Sequence, residues 1–320
     1  MTRAVLRERL PGYVVQALLV ALVAWLVSAA VANFRANMHA LGVSAGFGFL
    51  HAQAGFQIAQ SLVPFGPASP YLDAVIAAAL NTLLVVAVAS VLATIIALFV
   101  AFGRLAPHPI VRGASALYVE VFRNIPLLLQ ILFWYFSAIA LLPGVADSLQ
   151  FGGILLNNRG LFVPSGADRP HVDGFDVAGG IAILPELMAL TLGLAIYNGT
   201  FLAEIFRAGI LSVPKGQIEA ATTVGLSGAR AALLIVLPQA LRVALPAAGG
   251  QYQTLAKASS LAAAIGYPDI MQIVGGTIAS QTSQALEAMA LVVALYAAIN
   301  LCIALVVGVA NRWLLSRAPG

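Results

Sequence analysis

Charge is scarce in this sequence: only 9% of its 320 residues are Asp, Glu, Lys or Arg, against about 25% in an ordinary soluble domain. A water-soluble globule of this length would have too little ionic cover for its surface, so that class is excluded. Cysteine is nearly absent as well. The lone Cys302 rules out an intramolecular disulfide framework and a cysteine-based zinc site. The two lysines are followed by Gly216 and Ala258, so no Gly-x4-Gly-Lys-Ser/Thr loop is present to cradle nucleotide phosphates. The four histidines show no metal-ligand spacing, and neither HExxH nor GxSxG occurs. With no paired carboxylates in the apolar stretches either, nothing in the chain reads as catalytic. A net charge of +4, dispersed along the chain, gives no footing for nucleic acid.

Apolar sequence is what the chain has in abundance, at 61% of its residues. Six stretches are long enough to cross a bilayer as a helix, which takes about 20 residues: 13–33, 74–102, 116–142, 181–206, 243–266 and 286–310. Hydrocarbon cannot hydrogen-bond a backbone, and alternating barrel strands are absent, so an all-α integral membrane protein with six transmembrane helices is expected. The polar connections are 34–72, 103–115, 143–180, 207–242 and 267–285, with tails at 1–12 and 313–320. The first stretch has a second reading as a signal peptide, because Arg3, Arg7 and Arg9 precede it and Ala30-Val31-Ala32 resembles a cleavage site. Its apolar run exceeds the about 7–15 residues of a signal core, which favours a retained anchor. The segment 34–72 reads as an extracytoplasmic linker.

Orientation follows from the cations. With the N-terminus inside, the inner segments hold Arg3, Arg7, Arg9, Arg104, Arg112, Arg207, Lys215, Arg230, Arg242, Arg312 and Arg317, and the outer ones only Arg35, Arg159 and Arg169. Eleven against three places both termini in the cytoplasm and loop 143–180, with Asp147, Asp168, Asp173 and Asp176, outside.

Loop 207–242 carries the most information. Pro214 suits the first turn of a helix, Gln217–Val224 reads as a short helix, and Gly225 is placed to end it in a left-handed conformation. Ser227 is placed to cap a second helix running to a break at Pro238. Lys215 and Glu219 stand on the first short helix, whose Ala220, Ala221, Thr222 and Thr223 keep its surface low, so another backbone can come close. The whole reads as a docking element.

Glu219-Ala220-Ala221, three residues, Gly225, nine residues and then Ile235-Val236-Leu237-Pro238 resembles the EAA signature of the permeases of ABC-type importers. Flanking segments are similar to the polar amino-acid permeases of the histidine/glutamine type: Glu120 to Leu127 with Gln130, Tyr197 to Phe201 with Glu204 and Arg207, Lys257 to Ala262, and Ile265 to Asp269. The extra first helix and the linker resemble the general L-amino-acid branch. The resemblance implies a five-helix permease domain over 73–312, with 207–242 as the loop that couples to ATPase subunits through Lys215, Glu219, Ala220, Ala221, Gly225, Leu237 and Pro238. It also implies a second permease subunit, identical or related, a pair of cytoplasmic ATPases that bind ATP, a periplasmic amino-acid-binding protein, and a bacterial inner-membrane location. No cofactor is implied for this chain itself.

Polar residues inside the stretches have two readings: they line the translocation path, or they tie helices together. Gln253, Lys257 and Ser260 fall on one helical stripe, as do Glu120, Arg123 and Gln130. Glu120 and Arg123 are spaced to pair, as are Glu204 and Arg207. Lys257 has no acid one turn away, which points it to the path. A second class of function, an ion-coupled secondary transporter using Glu204 or Lys257, would require inverted repeats, and none is visible.

Overall fold

The computed structural model describes residues 3–40 and 46–316. Residues 1–2 of the N-tail, 41–45 of the 34–72 segment, and Arg317 with the rest of the C-tail lie outside the described residues.

Helix α1 spans Arg3–Ala40 and so overruns the expected 13–33 at both ends. From Gly12 to Asn33 its side chains are exposed, Ala29 alone being half-buried. The bundle proper starts with α2 (Tyr71–Leu105), α3 (Pro109–Asn124) and α4 (Leu127–Leu141). After a β region come α5 (Pro185–Leu211), α6 (Lys215–Thr223), α7 (Gly228–Ala231), α8 (Leu237–Ala258), α9 (Ala279–Thr282) and α10 (Ala285–Ser316). Among the described residues five helical stretches are long and apolar enough to cross a membrane, or six if the bent α3–α4 pair is one span.

α5 is the hub. On α2, Ala89, Ala93, Ala97 and Ala101 recur every fourth residue and are all buried. Small residues at that spacing let helix backbones approach where lipid offers no hydrophobic drive to pack. α5 answers with three glycines, each against a different helix. A Cβ at Gly193 would meet Ile131 of α4 at 2.9 Å, one at Gly199 would meet Ile96 of α2 at 3.0 Å, and one at Gly209 would meet the Ala240 carbonyl of α8 at 2.8 Å.

Four expectations are corrected. The run 116–142 is not one straight span, because α3 and α4 meet at 100°. Pro126 accounts for this: it removes an N–H and pushes Ile125 into extended backbone (φ −88°, ψ 124°). The chain is mostly helical but not all-α. Between α4 and α5 lie β1 (Leu149–Phe151), β2 (Ile154–Asn157), β3 (Gly160–Val163), β4 (His171–Asp173), β5 (Asp176–Ala178) and β6 (Ile181–Ile183). They form an antiparallel sheet in the order β1-β2-β3-β6 and a separate β4-β5 hairpin. Third, there is no break at Pro238. A π-helical turn at 232–236 leads straight into α8, whose first turn takes the proline. Fourth, Glu120 and Arg123 form no ion pair.

The later part of 34–72 packs rather than merely links. Phe49 is buried edge-on to Tyr71, with ring centroids 6.2 Å apart, and Phe56 lies 5.6 Å from Phe65. The Asn81 amide of α2 donates to the Gln60 carbonyl at 2.7 Å. Segment 266–278 likewise folds into the bundle, burying Tyr267, Ile270, Val274 and Ile278.

Candidate functional site

Pro214, in extended backbone, precedes the nine residues of α6. Gly225 closes that helix at φ +80°. The Leu226 N–H donates to the Ala221 carbonyl at 3.0 Å and the Gly225 N–H to Thr222 at 3.0 Å, the bond pair of a Schellman ending. Ser227 stands at the start of α7 but makes no side-chain cap bond. One alanine of the pair is structural: Ala221 is buried, on a helix that packs against α7 and the π turn, whereas Ala220 is exposed. Lys215, Glu219, Gly225 and Leu237 are exposed too, and Pro238 is half-buried. A Cβ built on Gly225 meets nothing within 4 Å. Two apolar side chains stand in the open on and just after α6, Val224 at 76% and Ile218 at 42% exposure. Sequence reasoning had passed over both; the signal was an apolar residue beside the helix-ending glycine.

At the root of the loop an ionic knot joins two helices. Arg207 Nη2 lies 2.7 Å from Glu204 within α5, as the spacing predicts, and Arg104 of α2 reaches the same carboxylate at 3.3 Å. Arg104 was the missed member.

The structure separates the residues expected along the path. Arg123 donates to the Thr200 carbonyl at 3.1 Å and lies 4.4 Å over the Phe201 ring, tying α3 to α5. Gln130 is buried, and its amide donates to the Phe122 and Ile125 carbonyls at 2.8 and 3.0 Å. It thereby closes the end of α3 where the bend leaves carbonyls without helical partners. Gln253 donates to the Asn300 carbonyl of α10 at 3.2 Å. Ser260 donates to the Lys257 carbonyl at 2.8 Å. Only Lys257 among the five is exposed, and its ammonium makes no hydrogen bond or ion pair with any described residue.

Two further polar knots hold the bundle. Gln251 of α8 donates to Asn198 of α5 at 2.7 Å. Asp269, fully buried, accepts from the Tyr296 hydroxyl of α10 at 2.8 Å and from the Gln272 N–H at 2.8 Å. The second contact caps the π-helical segment Met271–Ile278.

The family described as the binding-protein-dependent transport system inner membrane component matches residues 93–316, which takes in α3 to α10 and the C-terminal part of α2. This chain belongs to that family. A component of a transport system, not an enzyme, is therefore what the bent helix pair and the exposed loop have to serve. Relatives of this permease run nearly its whole length. It is 36% identical to the permease protein YhdX of Escherichia coli (strain K12), over 92% of this chain and 90% of that one. To the general L-amino acid transport system permease protein AapQ of Rhizobium johnstonii it is 34% identical, over 88% and 85% of the two chains. Its fold is similar to a crystal structure of an amino acid ABC transporter with histidines, at a TM-score of 0.57 and 25% identity, over 76% of this chain and 94% of that one.

Proposed function

We propose that this chain is the membrane-spanning permease of an ATP-driven amino-acid importer in a bacterial inner membrane, with both termini cytoplasmic. The observation that carries this reading is the exposed loop on α5, with its glycine-ended α6, inside a chain of that transport family. The names of the relatives support amino acids as the cargo class.

In this reading two permease subunits enclose one path. Two cytoplasmic ATPase subunits hold the ATP, and a soluble extracytoplasmic binding protein delivers the amino acid. α6 seats on an ATPase subunit through Lys215, Glu219, Ala220, Gly225 and the open Ile218 and Val224, while Ala221, Leu237 and Pro238 hold the loop's shape. Closure of the ATPase pair displaces α6, and the rigid α5 and α8 carry that displacement into the membrane. The coupling is a difference in stability between two arrangements of the helices. Lys257, unpaired on α8, is the group in this chain best suited to a substrate carboxylate on the path, with Ser260 beside it. Arg123, Gln130 and Gln253 shape the wall of that path by holding the helices around it.

The test is uptake of radiolabelled amino acids into proteoliposomes carrying the chain with its ATPase and binding protein. Uptake that requires internal ATP and the binding protein is expected. Uptake driven by an ion gradient without either would overturn the reading in favour of secondary transport.

A further inference from the structure

The loop stem contains a cavity that neither the family nor the ionic knot explains. Its volume is about 210 Å³, and it is lined by Ser212 and Val213 at the end of α5 and by Gln239, Arg242 and Val243 at the start of α8. Val213 immediately precedes Pro214, the residue that opens α6. The two walls meet on tight packing, Gly209 lying under the Ala240 carbonyl.

Arg242 is the only charged residue in the lining. Its side chain makes no hydrogen bond or ion pair with any described residue, and its Nε is shut off from solvent without an acceptor. A guanidinium keeps its charge at any physiological pH, and a buried N–H without a partner is costly to leave unmade. Neither polar neighbour accepts from it in this structure: the Ser212 side chain is engaged in donating to the Gly209 carbonyl and the Gln239 amide nitrogen in donating to the Ile235 carbonyl, and no oxygen of either lies in a hydrogen bond with Arg242. The planar fork of Arg matches a carboxylate in two-point contact.

We propose that this cavity receives an acidic side chain of the ATPase subunit that seats α6, with Arg242 as its partner. The proposal rests on the importer reading above. A carboxylate there would bridge the two stems of the loop, so the ATPase would grip α5 and α8 directly as well as through α6. That grip would transmit a pull when the ATPase pair separates, which a helix merely resting in a cleft does poorly.

The experiment uses the complete transporter, purified through a tag on this chain. A photo-reactive benzoylphenylalanine at Val243 should cross-link to the ATPase, at a peptide containing Asp or Glu. Arg242→Gln should lower retention of the ATPase by about tenfold, the scale of one lost charge-assisted contact, with Arg242→Lys retaining part of it. The gel-filtration profile of the permease itself should not change. Arg242→Glu should be rescued by changing the mapped acid to Arg, an outcome that a merely structural role for Arg242 would not produce. If the wild-type chain holds the ATPase while Arg242→Gln holds it equally, or if Val243 cross-links only to lipid, this inference falls and the importer reading stands. If the wild-type chain holds no ATPase, both fall.

Discussion

Residues 143–184, before α5, and residues 212–236, after it, hang from the same helix and keep their shape by different means. The first segment is self-contained. Its strands satisfy one another along a ladder from Leu149↔Leu156 to Leu161↔Ile183, and Leu155 and Phe162 bury each other across β2 and β3. The second has little internal burial. Ala221 and Ala231 are buried there, while Ile218, Val224, Leu233 and Leu234 face outward. Both segments leave apolar side chains in the open, Phe151, Phe175 and Ile181 among them in the first. The first nonetheless pairs its backbone along its own ladder, whereas the second carries its exposed apolar residues on short helices with no such ladder, a surface of the kind a partner covers. The loop after α5 therefore has the character of half an interface.

Substituting the glycine of each segment should break the comparison most sharply, because the two glycines face opposite surroundings. Gly225→Asp or Gly225→Arg should abolish uptake and ATPase retention while leaving insertion and expression intact. The left-handed backbone adds only about 1–2 kcal/mol of strain, and no neighbour within this chain is struck. Wild-type levels of both readouts would remove loop 207–242 from the coupling role. Gly160→Val should act the other way round. A Cβ there runs into the Ile183 carbonyl on β6, at φ +140°, so the sheet should open and be cut by protease within 148–183. ATPase retention should be unchanged. An intact, protease-resistant sheet would show that the β3–β6 edge yields.

A smaller effect is expected at Lys257. Lys257→Met should preserve assembly and basal hydrolysis and reduce amino-acid uptake by about tenfold, the scale of one charged contact. Normal uptake at normal expression would leave the ammonium outside the path. The mildest test changes no function. On a Cys302→Ala background, Asp168→Cys should react with an impermeant maleimide added outside, and Gly216→Cys should not. The reverse pattern would place the two loops on exchanged sides of the membrane.

What the sequence disclosed, and what it hid, follows the same division. α6 and its glycine were legible because a left-handed ending and small residues leave a local signature. The long spans were legible because hydropathy over about 20 residues is hard to mistake. The β region was not: strands of three or four residues are too short for a period-two pattern to register, two of them are exposed at every position, and β2 and β3, whose burial does alternate, carry apolar residues on both faces. The bend at Ile125-Pro126 had a visible cause, a proline inside an apolar run, but composition alone read straight through it. The Glu120–Arg123 pairing failed because helical spacing says which residues are neighbours, and not which of them has a better partner across a helix interface. Arg123 found the Thr200 carbonyl and the Phe201 ring instead. The roles of Gln130 and Asp269 depend on carbonyls and N–H groups freed by bends, and no one-dimensional pattern encodes those.

The 100° bend also has a consequence for the lipid. α4, from Leu127 to Leu141, is 15 residues, or about 22 Å at 1.5 Å per residue, while the hydrocarbon layer is about 30 Å thick. A rod that is too short is accommodated by thinning the bilayer around it or by a protein neighbour that hides the shortfall. α4 shows Leu129, Phe133 and Phe136 to the outside, so one of these remedies is expected along that face. Wherever lipid meets it, the membrane is pinched, and a subunit that tilts or slides against α4 during transport would relax or deepen that pinch. The rate of transport is therefore expected to change with the thickness of the surrounding bilayer.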